Sequence, residues 1–231
     1  LAQWMIHGEV ERDPRGFDVA RFGNWTSPGY TVPKVIENYQ MRFSVGYPNE
    51  ERPAARPFRV TPMYDKFTEM RAVWGQQYGL EVPNYYALPN EPVYETPTFK
   101  RSNAWEATRQ EVMAVREGVG IMDMGGFTKL LVSGPGAEAF LDHLVCGRLP
   151  KLGRIALTWA LDERGGIMCE FTITRVGADS FYLCSAASAH EHDLEWIDAH
   201  KPNDGSVSVE NISGKIGTLV LAGPKSRDVL A

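Results

Sequence analysis

The sequence predicts an α+β fold of mostly antiparallel sheets with helices, and two observations support this prediction. The first is the stretch Leu157–Arg175, in which two runs of strand-forming residues flank the polar, glycine-containing segment Asp162–Gly166. The second is a pattern of strand, Gly-Pro and helix that occurs at 129–144 (KLLVSGPGAEAFLDHL) and again at 218–231 (TLVLAGPKSRDVLA). A pattern that occurs twice in one chain indicates an internally duplicated fold.

The first hundred residues are rich in proline and glycine, and only a few segments have a regular period. Apolar residues at helical spacing predict a helix over Tyr64–Tyr78. The proline-containing stretch 79–100 is predicted to be a surface segment or linker, with a domain boundary near residue 97. The other expectations are a helix end at 1–8, an irregular connection at 9–34, a helix at 35–43 and an extended arm at 44–62.

The remaining residues alternate between predicted strands and helices. Thr108-x-x-Glu111 is a capping-box pattern and predicts a helix start, while Gly118 and Gly120 predict its end. Further helices are expected at 135–144 and 188–199. Strands are expected near 126–133, 157–160, 168–176, 180–185, 206–212 and 216–222.

Composition restricts the class of protein. A chain of 231 residues that is 43% hydrophobic can bury a core, and a net charge of −5 argues against general binding of nucleic acid. No run approaches the ~20 apolar residues of a membrane helix. The three cysteines include no CxxC pair, which is typical of thiols in a reducing compartment. Arg52, Arg56 and Arg59 are expected to tie the extended arm to a neighbouring domain.

The second strand-Gly-Pro-helix copy stops at Ala231, inside its expected helix, and the first residues also read as part of a helix. We therefore expect the chain to be a fragment of a longer polypeptide.

Glu170 is the candidate functional residue of the hairpin, because it is a carboxylate inside an otherwise apolar strand. It either faces solvent or is held in a site. Because alternate strand residues share a face, Glu170 is expected on one face and Phe171 on the other. No metal site is predicted, because His190 and His192 lie two apart on a helix and point to nearly opposite sides.

The C-terminal part resembles the tetrahydrofolate-binding domain of the glycine-cleavage T-protein (aminomethyltransferase) family. The matching residues are Gly153-Arg154, LDERGGIMCEFTITR (161–175), the two strand-Gly-Pro-helix units and HDLEWI (192–197). The N-terminal part resembles the end of a flavin-dependent amine dehydrogenase, in LAQWMIHGE, RFGNW (21–25), the segment 45–67 and WGQQYGLEVPNYY (74–86). Both parts in this order are similar to the dimethylglycine and sarcosine dehydrogenase family.

This resemblance implies a T-protein-like folate-binding fold over 98–231, preceded over 1–97 by the end of a flavin oxidoreductase domain. It implies an enzyme in which an FAD domain oxidises an N-methyl amine to an iminium. A folate domain then captures the one-carbon unit as 5,10-methylenetetrahydrofolate. The implied cofactors are tetrahydrofolate and FAD, with FAD bound by the parent protein outside this chain. The implied partners are the amine and the rest of the polypeptide, in a bacterial cytoplasm or the mitochondrial matrix.

The resemblance also assigns a site. In the family, a carboxylate at the position of Glu170 approaches the folate nitrogens, so Glu170 is the expected catalytic residue. T-proteins usually carry Asp there with a second Asp before it, whereas this chain has Cys169, and the Tyr often found at Leu157 is absent. The expected folate-binding residues are Leu157, Met168, Glu170, Thr172, Thr174 and Ser185.

Two other functions remain open. One is a flavin-free tetrahydrofolate-dependent aminomethyl- or methyltransferase, against which residues 1–97 argue. The other is a non-catalytic folate-binding protein. No dinucleotide-binding GxGxxG occurs in the sequence, so the chain alone is expected neither to bind FAD nor to oxidise an amine.

Overall fold

The computed structural model describes residues 2–8, 22–23 and 25–231, and it has the predicted α+β architecture of helices and antiparallel strands. The helices are α1 (Ala2–His7), α2 (Pro28–Gln40), α3 (Tyr64–Glu69), α4 (Ala104–Glu117), α5 (Ala137–Leu144), α6 (His190–His200) and α7 (Ser226–Leu230). The strands are β1 (Ala72–Gln77), β2 (Leu80–Tyr86), β3 (Gly120–Asp123), β4 (Thr128–Ser133), β5 (Ile155–Leu161), β6 (Ile167–Gly177), β7 (Ser180–Ser185), β8 (Ser208–Asn211) and β9 (Leu219–Ala222).

The chain forms two compact units. Unit 1 comprises Leu1–Asn24 and Phe127–Gly214, and unit 2 comprises Trp25–Gly126 and Lys215–Ala231. Among the described residues, no helix combines the length and the apolar character that a membrane crossing requires. The domain boundary near residue 97 stays a prediction.

Unit 1 is built on a five-stranded antiparallel sheet in the order β5-β6-β7-β4-β8. One face of this sheet packs against α5 and α6 and forms the main core. Its buried side chains include Phe171 and Ile173 of β6, Phe140 and Leu141 of α5, and Ile197 of α6. We call this the core face and the opposite side the outer face.

Both strand-Gly-Pro-helix units have the same backbone corner, which supports the predicted duplication. Gly134 after β4 has φ 120°, and Gly223 after β9 has φ 125°. A Cβ atom at Gly134 would collide with the carbonyl oxygen of Ser206, and one at Gly223 would collide with that of Gly118. Each glycine is required because the chain turns from strand to helix in a conformation that other residues rarely adopt.

The predicted helix over Tyr64–Tyr78 is wrong beyond Glu69. The chain instead forms a hairpin of β1 and β2, closed by Tyr78 (φ 51°) and Gly79 (φ 75°). Positive φ at both central residues of a two-residue loop matches the right-handed twist of paired strands. The prediction of a linker over 79–100 is therefore wrong for its first residues, which form β2.

Other element boundaries need correction. The helix predicted at 35–43 begins earlier, at Pro28, because proline is well accommodated in a first helical turn. The helix predicted from Thr108 begins at Ala104, and Glu111 does not cap it, since its carboxylate accepts a hydrogen bond from the Tyr86 backbone N–H at 2.7 Å. The end of this helix at Gly118 is confirmed. Strand β3 was not predicted. Residues 9–21 and 24 of the predicted irregular connection lie outside the described residues.

A buried ion pair joins the arm before α3 to β2 within unit 2. Arg56 Nε donates to Glu81 Oε1 at 3.0 Å, and Arg56 Nη2 donates to the Trp74 carbonyl oxygen at 2.9 Å. The Glu81 side chain is only 2% exposed and that of Arg56 is 12% exposed. Arg56 thus ties the arm to a hairpin of its own unit and not to a neighbouring domain, which corrects the prediction for this residue.

We predict that Arg56→Ala strongly destabilises the chain, by about 3–5 kcal/mol, because it leaves the buried Glu81 carboxylate without its cation. Urea unfolding measures this loss. The matched control is Arg109→Ala, which breaks a solvent-exposed ion pair with Glu106 in the same unit and should change stability little. Equal losses in the two variants would contradict the assigned importance of burial.

A second prediction concerns Glu111, whose pKa burial raises, while the hydrogen bond from Tyr86 opposes part of that rise. A carboxyl group with a raised pKa in the folded state favours folding at low pH. That contribution disappears as pH rises through the folded-state pKa. Glu111→Gln keeps the acceptor oxygen and cannot ionise. The melting temperature of the variant relative to the native chain should therefore increase from pH 4 to pH 7, and a constant difference would contradict this account.

Candidate functional site

The candidate site lies on the outer face of the unit 1 sheet, around the centre of β6. Glu170 is exposed there and lies directly opposite Trp159 of β5. Trp159 Nε1 donates a hydrogen bond to Glu170 Oε2 at 2.9 Å. The indole N–H therefore orients a carboxylate that remains open to solvent and to a ligand.

The hairpin brings several predicted residues together with Glu170. Thr172 and Thr174 follow at alternate positions of β6, so they share its face. Leu157 of β5 pairs with Thr172 and is 56% exposed. The outer face thus combines one carboxylate with hydroxyl groups and accessible apolar surface, which is the usual composition of a small-molecule site.

The expected placement of Glu170 and Phe171 on opposite faces of β6 is confirmed. Cys169, Phe171 and Ile173 are 3%, 0% and 0% exposed and lie in the core cluster. Glu170 is therefore not buried beside these side chains, because they lie on the other face of the strand.

Two predicted site residues lie apart from this group. Met168 stands at the register shift between the Ala160–Cys169 and Leu161–Ile167 pairs, and its side chain packs against the core cluster. Ser185, at the end of β7, is buried, and its Oγ has no hydrogen-bond partner among the described residues. It lies two residues beyond the buried Leu183, so it belongs to the core face. The structure thus does not bring Ser185 together with Glu170, and its role stays a prediction.

Sequence reasoning missed three residues of the outer face. Trp159 was not assigned to the site, because counting back from the turn pairs it with Cys169, and only the register shift next to Ala160 places it opposite Glu170. Cys184 pairs with Thr172 on one side and with Lys129 on the other. Lys129 is fully buried, and its Nζ donates to the Phe127 carbonyl oxygen at 3.0 Å.

The Cys184 thiol is not an activated nucleophile. Burial raises the pKa of this thiol, and the positive charge of Lys129 opposes that rise only in part. A raised pKa keeps the group protonated at neutral pH, and the thiolate is the reactive form. Glu170 therefore remains the outer-face group best suited to accept a proton or to stabilise a cation.

A second cluster lies between β6 and α6. His192 Nδ1 lies 3.1 Å from Asp193 Oδ1 and 4.0 Å from Cys169 Sγ. His190 points elsewhere, with its Nδ1 3.1 Å from Thr128 Oγ1 and its Nε2 2.8 Å from Asn211 Nδ2. The expected divergence of the two histidines is confirmed, but the sequence did not indicate that His192 meets Cys169.

Comparison with known proteins places this fold in a family. A model of the GCVT N-terminal domain matches residues 63–231. The chain belongs to this family. A model of the FAD dependent oxidoreductase central domain matches residues 7–61. Together, the two matches confirm the predicted resemblance of both parts of the chain.

Individual relatives extend over both parts. The chain is 34% identical over 232 residues to the mitochondrial dimethylglycine dehydrogenase of Rattus norvegicus, a match that covers 100% of this chain and 27% of that protein. It is 29% identical over 238 residues to the mitochondrial pyruvate dehydrogenase phosphatase regulatory subunit of Mus musculus, with the same two coverages. The chain thus spans about a quarter of the length of these curated relatives.

A solved structure supports the fold. The glycine cleavage system aminomethyltransferase T from Bartonella henselae matches with a TM-score of 0.57 and 22% identity, over 75% of this chain and 43% of that one. This likeness confirms the predicted T-protein-like fold.

The Trp159–Glu170 contact can be tested directly by NMR. In Glu170→Ala, the indole N–H proton of Trp159 should move upfield because it loses its carboxylate acceptor, and Trp159→Phe assigns the signal. The matched control is the indole N–H of Trp196, which is buried and has no hydrogen-bond partner among the described residues. An unchanged Trp159 signal would show that the two side chains are not bonded.

Proposed function

We propose that this chain is part of a flavin-dependent N-methyl amine dehydrogenase, acting on dimethylglycine or sarcosine, and that its outer face binds tetrahydrofolate. The observation that carries the proposal is the Glu170 carboxylate, which Trp159 orients on an accessible sheet face. The 34% identity to a dimethylglycine dehydrogenase over the whole chain supports the same function. FAD and the amine would bind to parts of the parent polypeptide outside this chain.

The outer face has groups that fit a pterin. Leu157 and Trp159 offer apolar and aromatic surface, while Thr172 and Thr174 offer hydroxyl groups beside Glu170. Tetrahydrofolate supplies the nitrogen atoms that capture the one-carbon unit. Met168 and Ser185 are not assigned to this outer-face site, because the side chain of Met168 packs against the core cluster and Ser185 faces the core.

The role that we assign to Glu170 is electrostatic and proton-accepting. One-carbon transfer to an amine passes through cationic nitrogen, and a nearby carboxylate stabilises that charge and takes up the proton that is released. Trp159 acts as a positioning residue, because its N–H fixes one carboxylate oxygen and leaves the other available. With Cys169 turned into the core, the outer face has one carboxylate at this point of β6.

A regulatory role is the second candidate function. The mouse regulatory subunit matches all of this chain, as the dehydrogenase does. In this role, the chain keeps the fold and a folate site but has no turnover. Amine-dependent reduction of an electron acceptor by the intact protein distinguishes the two.

Both relatives are mitochondrial proteins, which supports the mitochondrial matrix as the location of this chain in a eukaryote. In a bacterium, the corresponding location is the cytoplasm.

We predict that Glu170→Gln in the intact protein leaves amine oxidation unchanged and lowers methylenetetrahydrofolate formation by about 10²-fold, a typical effect of losing an acid–base group. Formaldehyde release should rise correspondingly. Stopped reactions assayed for both one-carbon products measure the partition. The matched control is Glu163→Gln, which neutralises an exposed carboxylate in the turn of the same hairpin. If the Glu170 variant couples the two reactions as well as the parent does, the assigned role is wrong.

A further inference from the structure

The cluster of Cys169, His192 and Asp193 has the composition of a metal site. Its thiol, imidazole and carboxylate ligand atoms all lie within 4.8 Å of one another. Two of these residues are adjacent on α6, and the third comes from the core face of β6. The sequence separates Cys169 from the other two, so only the packing of α6 on β6 creates the group.

The spacing of the ligand atoms suits one small ion. Bonds of about 2.3 Å to sulfur and about 2.0–2.2 Å to nitrogen and oxygen place the ligands of a tetrahedral zinc ion about 3.3–3.6 Å apart. The distances of 4.0 Å from His192 Nδ1 to Cys169 Sγ and 3.1 Å from His192 Nδ1 to Asp193 Oδ1 lie on either side of that value. Small rotations of the side chains would therefore centre the three atoms on an ion.

Asp193 provides an independent observation. Its side chain is 1% exposed, and its Oδ2 is buried without a hydrogen-bond partner among the described residues. Buried carboxylate oxygens normally have partners, because an unpaired one loses its hydration without compensation. Among the described residues, the one hydrogen-bond partner of this carboxylate is His192 Nδ1, which contacts Oδ1. A cation bound by His192 Nδ1 and Cys169 Sγ would replace that hydrogen bond and give the buried carboxylate a positively charged partner.

A catalytic Cys-His-Asp arrangement explains the geometry less well. Such an arrangement uses one ring nitrogen for the nucleophile and the other for the carboxylate. Here the same atom, His192 Nδ1, is closest to both the sulfur and the carboxylate oxygen. Cys169 is also only 3% exposed, which leaves no approach for a substrate.

We propose that Cys169, His192 and Asp193 bind one zinc-class divalent cation between β6 and α6. A mixed set of thiolate, imidazole and carboxylate suits zinc, which is intermediate between hard and soft ions. The side chain of His192 is 25% exposed, so water can reach the cluster and complete the coordination as a fourth ligand. The ion would fasten α6 to the back of the strand segment that carries Glu170 on its outer face.

The test is metal binding by the 231-residue chain, after treatment with a chelator. Competition with a chromophoric chelator should give one Zn²⁺ per chain with a Kd of about 1 µM or tighter, equivalent to about −8 kcal/mol. Co²⁺ should bind at the same stoichiometry and give a thiolate-to-metal charge-transfer band. No stoichiometric binding near this affinity, or Co²⁺ binding without that band, would overturn the proposal.

Variants test which residues hold the ion. Cys169→Ala and Asp193→Asn should each weaken Zn²⁺ binding by at least about 10–100-fold, the loss typical of removing even an outer-shell partner. Cys146→Ser and His200→Gln are matched controls, because both residues are exposed and lie outside the cluster. Retention of affinity in Cys169→Ala, or an equal loss in the controls, would overturn the assignment. Circular dichroism confirms that each variant is folded, and none of these readouts depends on amine oxidation or folate binding.

Discussion

The alternation of side chains along β6 is the constraint on which the rest of unit 1 depends. Phe171 and Ile173 are completely buried, so the strand cannot move by one residue without exposing them. This register directs Glu170 to the outer face and Cys169 toward α6. The Glu170 site and the cluster of Cys169, His192 and Asp193 therefore share one strand and lie on its opposite faces.

The two faces differ in their electrostatics. On the outer face, Glu170 remains hydrated, and its bond to Trp159 restricts its orientation more than it stabilises the fold. On the core side, Asp193 is nearly inaccessible, and one of its oxygens lacks a partner among the described residues. A ligand on the outer face would meet an accessible hydrogen-bond acceptor, whereas the core side buries a polar group that lacks a full set of partners among the described residues.

Local pattern was sufficient to predict much of unit 1. The turn at Asp162–Gly166, the bounds of β7 and the buried face of β6 all follow from residue type and a period of two. The Trp159–Glu170 bond did not follow, because counting across the turn does not reveal the register shift next to Ala160. The cluster of Cys169, His192 and Asp193 could not be predicted from local pattern, since Cys169 and His192 are 23 residues apart and belong to different elements.

Unit 2 shows a different limit of sequence reasoning. The apolar residues of 64–78 fit a helix, but Tyr78 occupies a positive φ that its residue type does not signal. Asn-Gly or Asp-Gly at this position predicts a two-residue hairpin turn, whereas Tyr-Gly carries no such signal. The hairpin is favoured because it buries Val73 and Tyr85 and receives Arg56 against Glu81, contacts that no local pattern contains.

The paired corners at Gly134 and Gly223 indicate what the two halves of the duplication have in common. Each corner is closed by a carbonyl group from a separate segment, Ser206 in one case and Gly118 in the other. Around the shared Gly-Pro, the flanking side chains differ, from Ser133 and Gly136 in one copy to Ala222 and Lys225 in the other. What the two copies share is thus a backbone conformation, a positive-φ glycine between strand and helix. The residues around this turn can differ between the copies, as long as a neighbouring segment places a carbonyl oxygen against the glycine Cα.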